Sequence, residues 1–268
     1  MRQQRRSVKR MAPPTTPQDG NYHFQGSPPG YTPQGSTFGP KNYSSVEVAQ
    51  REQSFLTKVF GWMALGLGIT FVIALMFQSQ GAKIAPFLWP AIFIQLGIAI
   101  GMGFGLRKLS AGAVTALFLV YCAITGFTFA VLFAALAAAG QAGVIWPAFL
   151  ATGGTFGLMA LIGATTKMDL SKFGAFVFFA LIGIVIVSLI GIFIHAAAIT
   201  WLVMYGGLLV FMGLTVYEVW ALKNSQKYAE MLGPAGDRKL AVYGAFSLYL
   251  NFINIFIRML YILGGSRS

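Results

Sequence analysis

The sequence predicts an all-α membrane protein with seven transmembrane helices, and three observations carry that prediction. Its 268 residues are 56% apolar and only 10% charged, with 32 glycines, whereas soluble domains carry about 25% charge. From Phe55 onward the chain is a succession of apolar runs close to the roughly 20 residues that cross a bilayer. The 19 Lys and Arg, against 7 acids, gather in an N-terminal tail and in alternate connections between those runs, as the positive-inside rule expects. That placement argues against nucleic acid as a partner, despite a net charge of +12.

Residues 1–45 read as a disordered cytoplasmic tail, ahead of a membrane domain over 46–268. The tail opens with MRQQRRSVKR and continues through Pro, Gly, Gln, Ser and aromatic residues without apolar periodicity. Such composition buries too little surface to offset its ordering entropy. No apolar stretch follows the arginines within signal-peptide distance, so a cleaved secretory signal is not expected; an organellar transit peptide stays open. The basic cluster either lies against anionic lipid or holds the N-terminus in the cytoplasm, and the second role is favoured.

The spans are expected at 55–77, 84–105, 111–138, 146–165, 173–194, 198–220 and 240–263. The third is long and has an alternative early end at AALAAAG. The join between the fifth and sixth, FIHAAAITW, is too short to fix its boundaries. Arg2, Arg5, Arg6, Lys9, Arg10, Lys41 and Arg51 precede the first span. Arg107 and Lys108 follow the second, Lys167 and Lys172 the fourth, and Lys223, Lys227, Arg238 and Lys239 the sixth. The opposite side has Lys83 and Arg267. This asymmetry predicts a cytoplasmic N-terminus and a C-terminus outside.

Glycines at four-residue intervals, Gly97, Gly101 and Gly105 in the second span and Gly153 and Gly157 in the fourth, suit close helix approach in lipid. Tight packing within one monomer is the favoured reading over a dimer interface.

Enzymatic chemistry is not expected. The single Cys122 and the two histidines, His23 and His195, exclude a disulfide framework and a Cys- or His-rich metal cluster. Neither the G-x-S-x-G nucleophile motif nor the zinc-protease motif H-E-x-x-H occurs, His195 reads as an interfacial residue, and the seventh span has no lysine for a retinal Schiff base. No cofactor is expected.

Ionisable residues within or beside the spans are Lys58, Glu218 and Arg258. A charge at the bilayer centre costs about 2.5–3.5 kcal/mol on insertion scales, so each needs a partner, an aqueous cavity or an interfacial depth. Lys58 and Glu218 fall at similar depth near the inner interface. They either pair with each other or snorkel to the headgroups, with Trp220 as an anchor. Ser247, Asn251, Asn254 and Arg258 recur at four, three and four residues, which stacks them on one helix face. Asn251 lies near mid-span, where its amide cannot be left bare in hydrocarbon, so the seam must face the bundle. Arg258, about 9 Å of helix rise from the outer end, is within snorkelling reach of the outer headgroups. By residue type alone the seam reads as interhelical glue more readily than as a site.

FLTKVFGWMALGLGIT in the first span, GTFGLMALIGATTKMDLSKFG across the fourth and fifth, VYEVWALK at the end of the sixth and YGAFSLYLNFINIFIRML in the seventh together resemble the Bax-inhibitor family, also called the transmembrane Bax inhibitor motif family. The likeness is to its bacterial inner-membrane members and covers roughly residues 50 to 265. It implies a seven-helix bundle with the seventh helix near the centre, and a calcium- or proton-coupled cation leak whose opening depends on pH. It also implies two aspartates, one in a Tyr-Asp pattern ending the sixth span and one in a Leu-Tyr-Leu-Asp-Phe pattern in the seventh. Two adjacent carboxylates share a proton, and their protonation state can latch a pore. Here the first position is Glu218 and the second is Asn251, which cannot ionise, so a leak with weakened pH gating is expected. The alternative is a modulator that binds a membrane-anchored quality-control protease through the tail.

Overall fold

The computed structural model describes residues 45–105, 108–194, 196–231 and 233–265. Except for Ser45, the expected tail lies outside the described residues, as does His195. Nine α-helices run through the described chain: α1 Ser45–Phe77, α2 Gly81–Ile84, α3 Leu88–Gly105, α4 Ala111–Ala138, α5 Ile145–Thr165, α6 Ser171–Phe193, α7 Ala197–Trp201, α8 Gly207–Met231 and α9 Gly233–Gly265. No strand occurs among the described residues.

Local chemistry explains the boundaries. Ser110 precedes α4 and its hydroxyl accepts a hydrogen bond from the Ala113 amide at 3.2 Å, satisfying one orphan donor of the first turn. The same helix ends in a Schellman arrangement: Gly140 takes φ +70°, and the Gln141 amide reaches back to the Leu136 carbonyl at 2.8 Å. The third span therefore runs unbroken through Ala138, without the early stop. Pro90 and Pro147 occupy the first turns of α3 and α5, where a missing N–H costs nothing. Between α6 and α7 the backbone is extended at Ile194 and Ala196, which separates the two spans that the sequence leaves unresolved.

Among the described residues, six segments are long and apolar enough to cross a membrane. Five correspond to the expected third to seventh spans. The sixth is a 56-residue run, Ala49–Phe104, in which the expected first and second spans are joined by 3-10 turns at Gln78–Gln80 and Ala85–Phe87. The backbone stays in the right-handed helical region at Phe77, Gly81, Ile84, Ala85 and Leu88, so the join is a run of short helical turns. Between α7 and α8 a single π-turn, Leu202–Gly206, is inserted.

α4 lies between α1 and α3, and α8 lies between α5 and α6. α9 packs against α1, α4, α5 and α8, and 67% of its apolar window is buried, against 17% for α6. The core where these helices meet includes Phe55, Val59, Phe118, Cys122, Leu248, Tyr249 and Ile255. On the side of α9 facing α4 and α5, edge-to-face contacts link Phe149 to Phe252 and Phe256, and Phe156 to Phe252. Such aromatic pairs contribute about 0.5–1.5 kcal/mol beyond area burial.

The glycine expectation is corrected here. A Cβ built at Gly97, Gly101, Gly153 or Gly157 would meet nothing within 4 Å, so those faces are open instead of packed in the monomer. Close approach occurs elsewhere. A Cβ added at Gly66 would meet Phe118 and Cys122, one at Gly126 would meet Ile73 and, at 2.8 Å, the Thr70 carbonyl, one at Gly163 would meet the Val216 carbonyl, and one at Gly244 would meet Leu222.

Candidate functional site

The antiparallel contact of α8 with α9 holds the polar seam. Gly207, Phe211, Thr215, Glu218 and Leu222 follow one another at four, four, three and four residues on α8 and line the facing stripe. Ser247 and Asn251, one turn apart on α9, bracket the Glu218 carboxylate. The Ser247 hydroxyl donates to Oε1 at 2.9 Å and the Asn251 amide donates to Oε2 at 2.8 Å. Asn251 is 3% exposed, so its partner is protein and not solvent. Glu218 and Ser247 are half-buried.

Asn254 turns back on its own helix, donating to the Leu250 carbonyl at 2.9 Å. Its backbone and side-chain oxygens both accept from Nη1 of Arg258, at 2.9 and 3.2 Å. The Arg258 guanidinium lies 4.7 Å from the Phe211 ring centroid and against Gly207, whose missing side chain makes room for it. Arg258 thus folds inward onto α8 instead of reaching for the headgroups. A guanidinium over an aromatic face is stabilised electrostatically, and the turn where it sits has no side chain to push it out.

Lys58 is the other departure. It pairs with Asp237 at 2.8 Å, an acid at the start of α9 and 179 positions away in sequence, and takes no part in the Glu218 site. A second tie at the same end joins Lys223 to the Ala164 carbonyl at 3.0 Å and, more loosely, to Glu52 at 4.0 Å. Of the six expected site residues, three form one hydrogen-bonded group (Glu218, Ser247, Asn251), two form the next turn (Asn254, Arg258), and Lys58 belongs elsewhere.

Sequence reasoning passes over a second buried polar group. Tyr249, fully buried, shares a 2.6 Å hydrogen bond with Thr70, which also donates to the Cys122 carbonyl at 3.0 Å. Nearby, Gln95 donates to Thr125 at 2.7 Å. The only signal for it is a lone tyrosine and scattered threonines in apolar runs, which any membrane helix carries.

Chemically the α8–α9 site has one ionisable acid and two fixed donors. An amide cannot take over a proton from a carboxyl group, so this hydrogen-bonded group holds one carboxyl and not a proton-sharing pair. Among the described residues no group of three His, Cys, Asp or Glu gathers to hold a metal ion.

Comparison with known proteins adds the relationship. The family model "Inhibitor of apoptosis-promoting Bax1" matches residues 52–268, which takes in both strips of the seam. The chain belongs to the Bax inhibitor family. It is 38% identical over 234 residues to the inner membrane protein YbhL of Escherichia coli strain K12, covering 85% of this chain and 98% of that protein. Uncharacterized proteins of Deinococcus radiodurans and Borreliella burgdorferi are each 36% identical, over 221 and 237 residues, covering 81% and 83% of this chain and 92% and 99% of theirs. As a Bax inhibitor family member with six apolar helical segments among the described residues, the chain is a multi-pass membrane protein.

Proposed function

We propose that this protein is a cation leak of the inner membrane, passing calcium ions or protons, whose response to pH is weakened because Asn251 stands where a second carboxylate would complete a proton-sharing pair. The observation that carries the reading is the Glu218 carboxylate held between α8 and α9 by Ser247 and Asn251, at 2.9 and 2.8 Å. A carboxylate kept within a bundle, between helices, is costly even with two donors, and ionisable residues retained inside membrane spans mark ion or proton paths. Inner-membrane placement follows the YbhL relative.

The topology that goes with this reading has seven crossings. At 1.5 Å per residue the 56-residue run Ala49–Phe104 is about 84 Å long, nearly three times a hydrocarbon core of about 30 Å, so it crosses twice with its turn near Gln78–Phe87. An odd number of crossings places the termini on opposite sides. The loop charges then set the N-terminus in the cytoplasm, and α9, with neighbours on four sides, is the axis of the bundle.

Purified protein in proteoliposomes, with calcium and proton flux followed between about pH 6 and about pH 8, tests the gating. Wild type is expected to change little over that window, while Asn251→Asp restores a steep dependence. Indistinguishable steep profiles would overturn the weakened-gating reading, and absence of flux under all conditions would overturn the leak itself.

A further inference from the structure

Between α1 and α3 the chain steps across the last turns of α4, and that step leaves a groove. Gly81 in α2 is buried, and a Cβ added there would meet the Ala134 side chain and, at 3.1 Å, the Ala130 carbonyl, so α2 lies directly on α4. Further along, the Gln95 amide donates to the Thr125 hydroxyl at 2.7 Å, which ties α3 to α4 a second time. Between those two contacts a cavity of about 350 Å³ opens, walled by Ile84, Phe87, Ala91 and Ile94 on one side and by Ile124 and Val131 of α4 on the other. The one polar side chain in its lining, Thr128, returns its hydroxyl to the Thr125 carbonyl at 2.8 Å.

Size and depth say what such a groove suits. Its walls offer water no partner, and a dry apolar cavity of roughly 150 Å³ is already enough to take up benzene. From Ile84 to Ile94 is about 15 Å at 1.5 Å per residue, half of a hydrocarbon core of about 30 Å. The Gln95–Thr125 tie therefore closes the groove near mid-membrane, and its other end lies at one interface. Phe87 and Ile94 on its rim are 68% and 54% exposed, so it opens sideways to lipid. An acyl chain of a single leaflet has the matching depth.

Charge marks the interfacial end. Lys83, the residue before Ile84, is exposed and forms no ion pair among the described residues. The nearest acids along the chain are Glu52 and Asp169. Glu52 and Asp237 face Lys223 and Lys58 at the opposite end of α1, and Glu218 is held by Ser247 and Asn251. A lysine so placed lays its stem over apolar surface and holds its ammonium among the headgroups, where a lipid phosphate is the available counter-charge.

We propose that the α3–α4 groove binds one anionic phospholipid, its acyl chain laid between Ile84 and Ile94 and its phosphate on Lys83. The site goes beyond the leak and takes from that reading only the leaflet, which the topology given above makes the outer one.

The test uses the purified full chain in detergent micelles, given equal amounts of phosphatidylglycerol and phosphatidylethanolamine that carry a photoreactive diazirine in the acyl chain. Native mass spectrometry counts the lipids retained, and peptide mapping locates the crosslink. One phosphatidylglycerol is expected to stay bound, favoured at least about fivefold over phosphatidylethanolamine, as one lysine at a lipid surface implies. Its crosslinks should fall within residues 84–94 and 124–131. Lys83→Ala brings the two lipids to parity and leaves the crosslinked positions unchanged, whereas Ala91→Phe fills the groove and removes the crosslink of both. If Ala91→Phe does not assemble, Ile94→Trp on the exposed rim takes its place and must give the same loss. Several lipids retained without headgroup preference, crosslinks spread around the bundle, or a preference that survives Lys83→Ala would each overturn the site. A dimer that Ala91→Phe or Ile94→Trp dissociates would give the groove to a second copy of the chain, and would overturn it too. Protein that passes no cation yet retains the lipid would overturn the leak and leave the lipid site standing.

Discussion

Gly207 is where a single hydrogen in place of a methyl group decides the position of a charge. A Cβ there would fall on the Arg258 guanidinium, 2.7 Å from Nη2 and closer to Nε. Gly207→Ala is therefore expected to destabilise the bundle by about 1–3 kcal/mol, as overpacking does, read from denaturant unfolding in micelles. An unchanged midpoint would mean that the arginine has room to leave. Lys58 gives the opposite expectation. Its side chain is 53% exposed, so its pair with Asp237 is worth at most about 1 kcal/mol. Lys58→Ala should alter stability slightly and leave the pH dependence of flux untouched, whereas a shift in that dependence would tie Lys58 to Glu218 after all. Ser247, Asn251, Asn254 and Arg258 are legible as one face because four polar side chains at helical spacing in an apolar segment have nowhere else to point. The partner of Lys58 is not legible, since Asp237 reaches it only after the whole chain has folded back.

Helix by helix, apolar length locates the spans well because the bilayer imposes it, and α4 has the expected bounds. Glycine spacing says less. It marks a smooth face without saying what covers it, and the faces of Gly97, Gly101, Gly153 and Gly157 turn out to be open while Gly163, with no repeat partner in contact, meets the backbone of α8. The two kinds of glycine should respond differently to a methyl group. Gly163→Ala presses on the Val216 carbonyl, which cannot rotate away, and is expected to lower the unfolding midpoint markedly. Gly157→Ala meets empty space and should be neutral or raise it, by up to about 1 kcal/mol from helix propensity. Equal losses would mean that Gly157 is covered by a partner. The start of α6 behaves as an exposed cap: Asp169 accepts from the Ser171 hydroxyl at 2.6 Å and amide at 2.9 Å, and the hydroxyl bond above all holds its carboxyl below the usual aspartate range. A depressed carboxylate supports the fold above its unfolded pKa of about 3.9 and loses that support as the pH falls through its lower folded value. Protection of the Ser171 amide from exchange should accordingly persist to pH below the ordinary aspartate range; earlier loss would show that the cap does not form.

At the scale of the molecule, the odd count of crossings and the polar interface between α8 and α9 are the claims on which function turns. A reporter enzyme active only outside the cytoplasm, fused after Ser268, should be active if Ala49–Phe104 crosses twice and silent if it crosses once. Removing residues 1–44 should leave flux unchanged while abolishing any capture by a membrane protease through the tail, and loss of flux would make the tail part of the pore. The most direct measurement is a double-mutant cycle on unfolding in a bilayer-like medium, with Glu218→Ala and Asn251→Ala alone and together. A charge-assisted hydrogen bond between them predicts a coupling of about 1–2 kcal/mol. Effects that add to within about 0.3–0.5 kcal/mol would show that the two side chains do not meet inside the bundle.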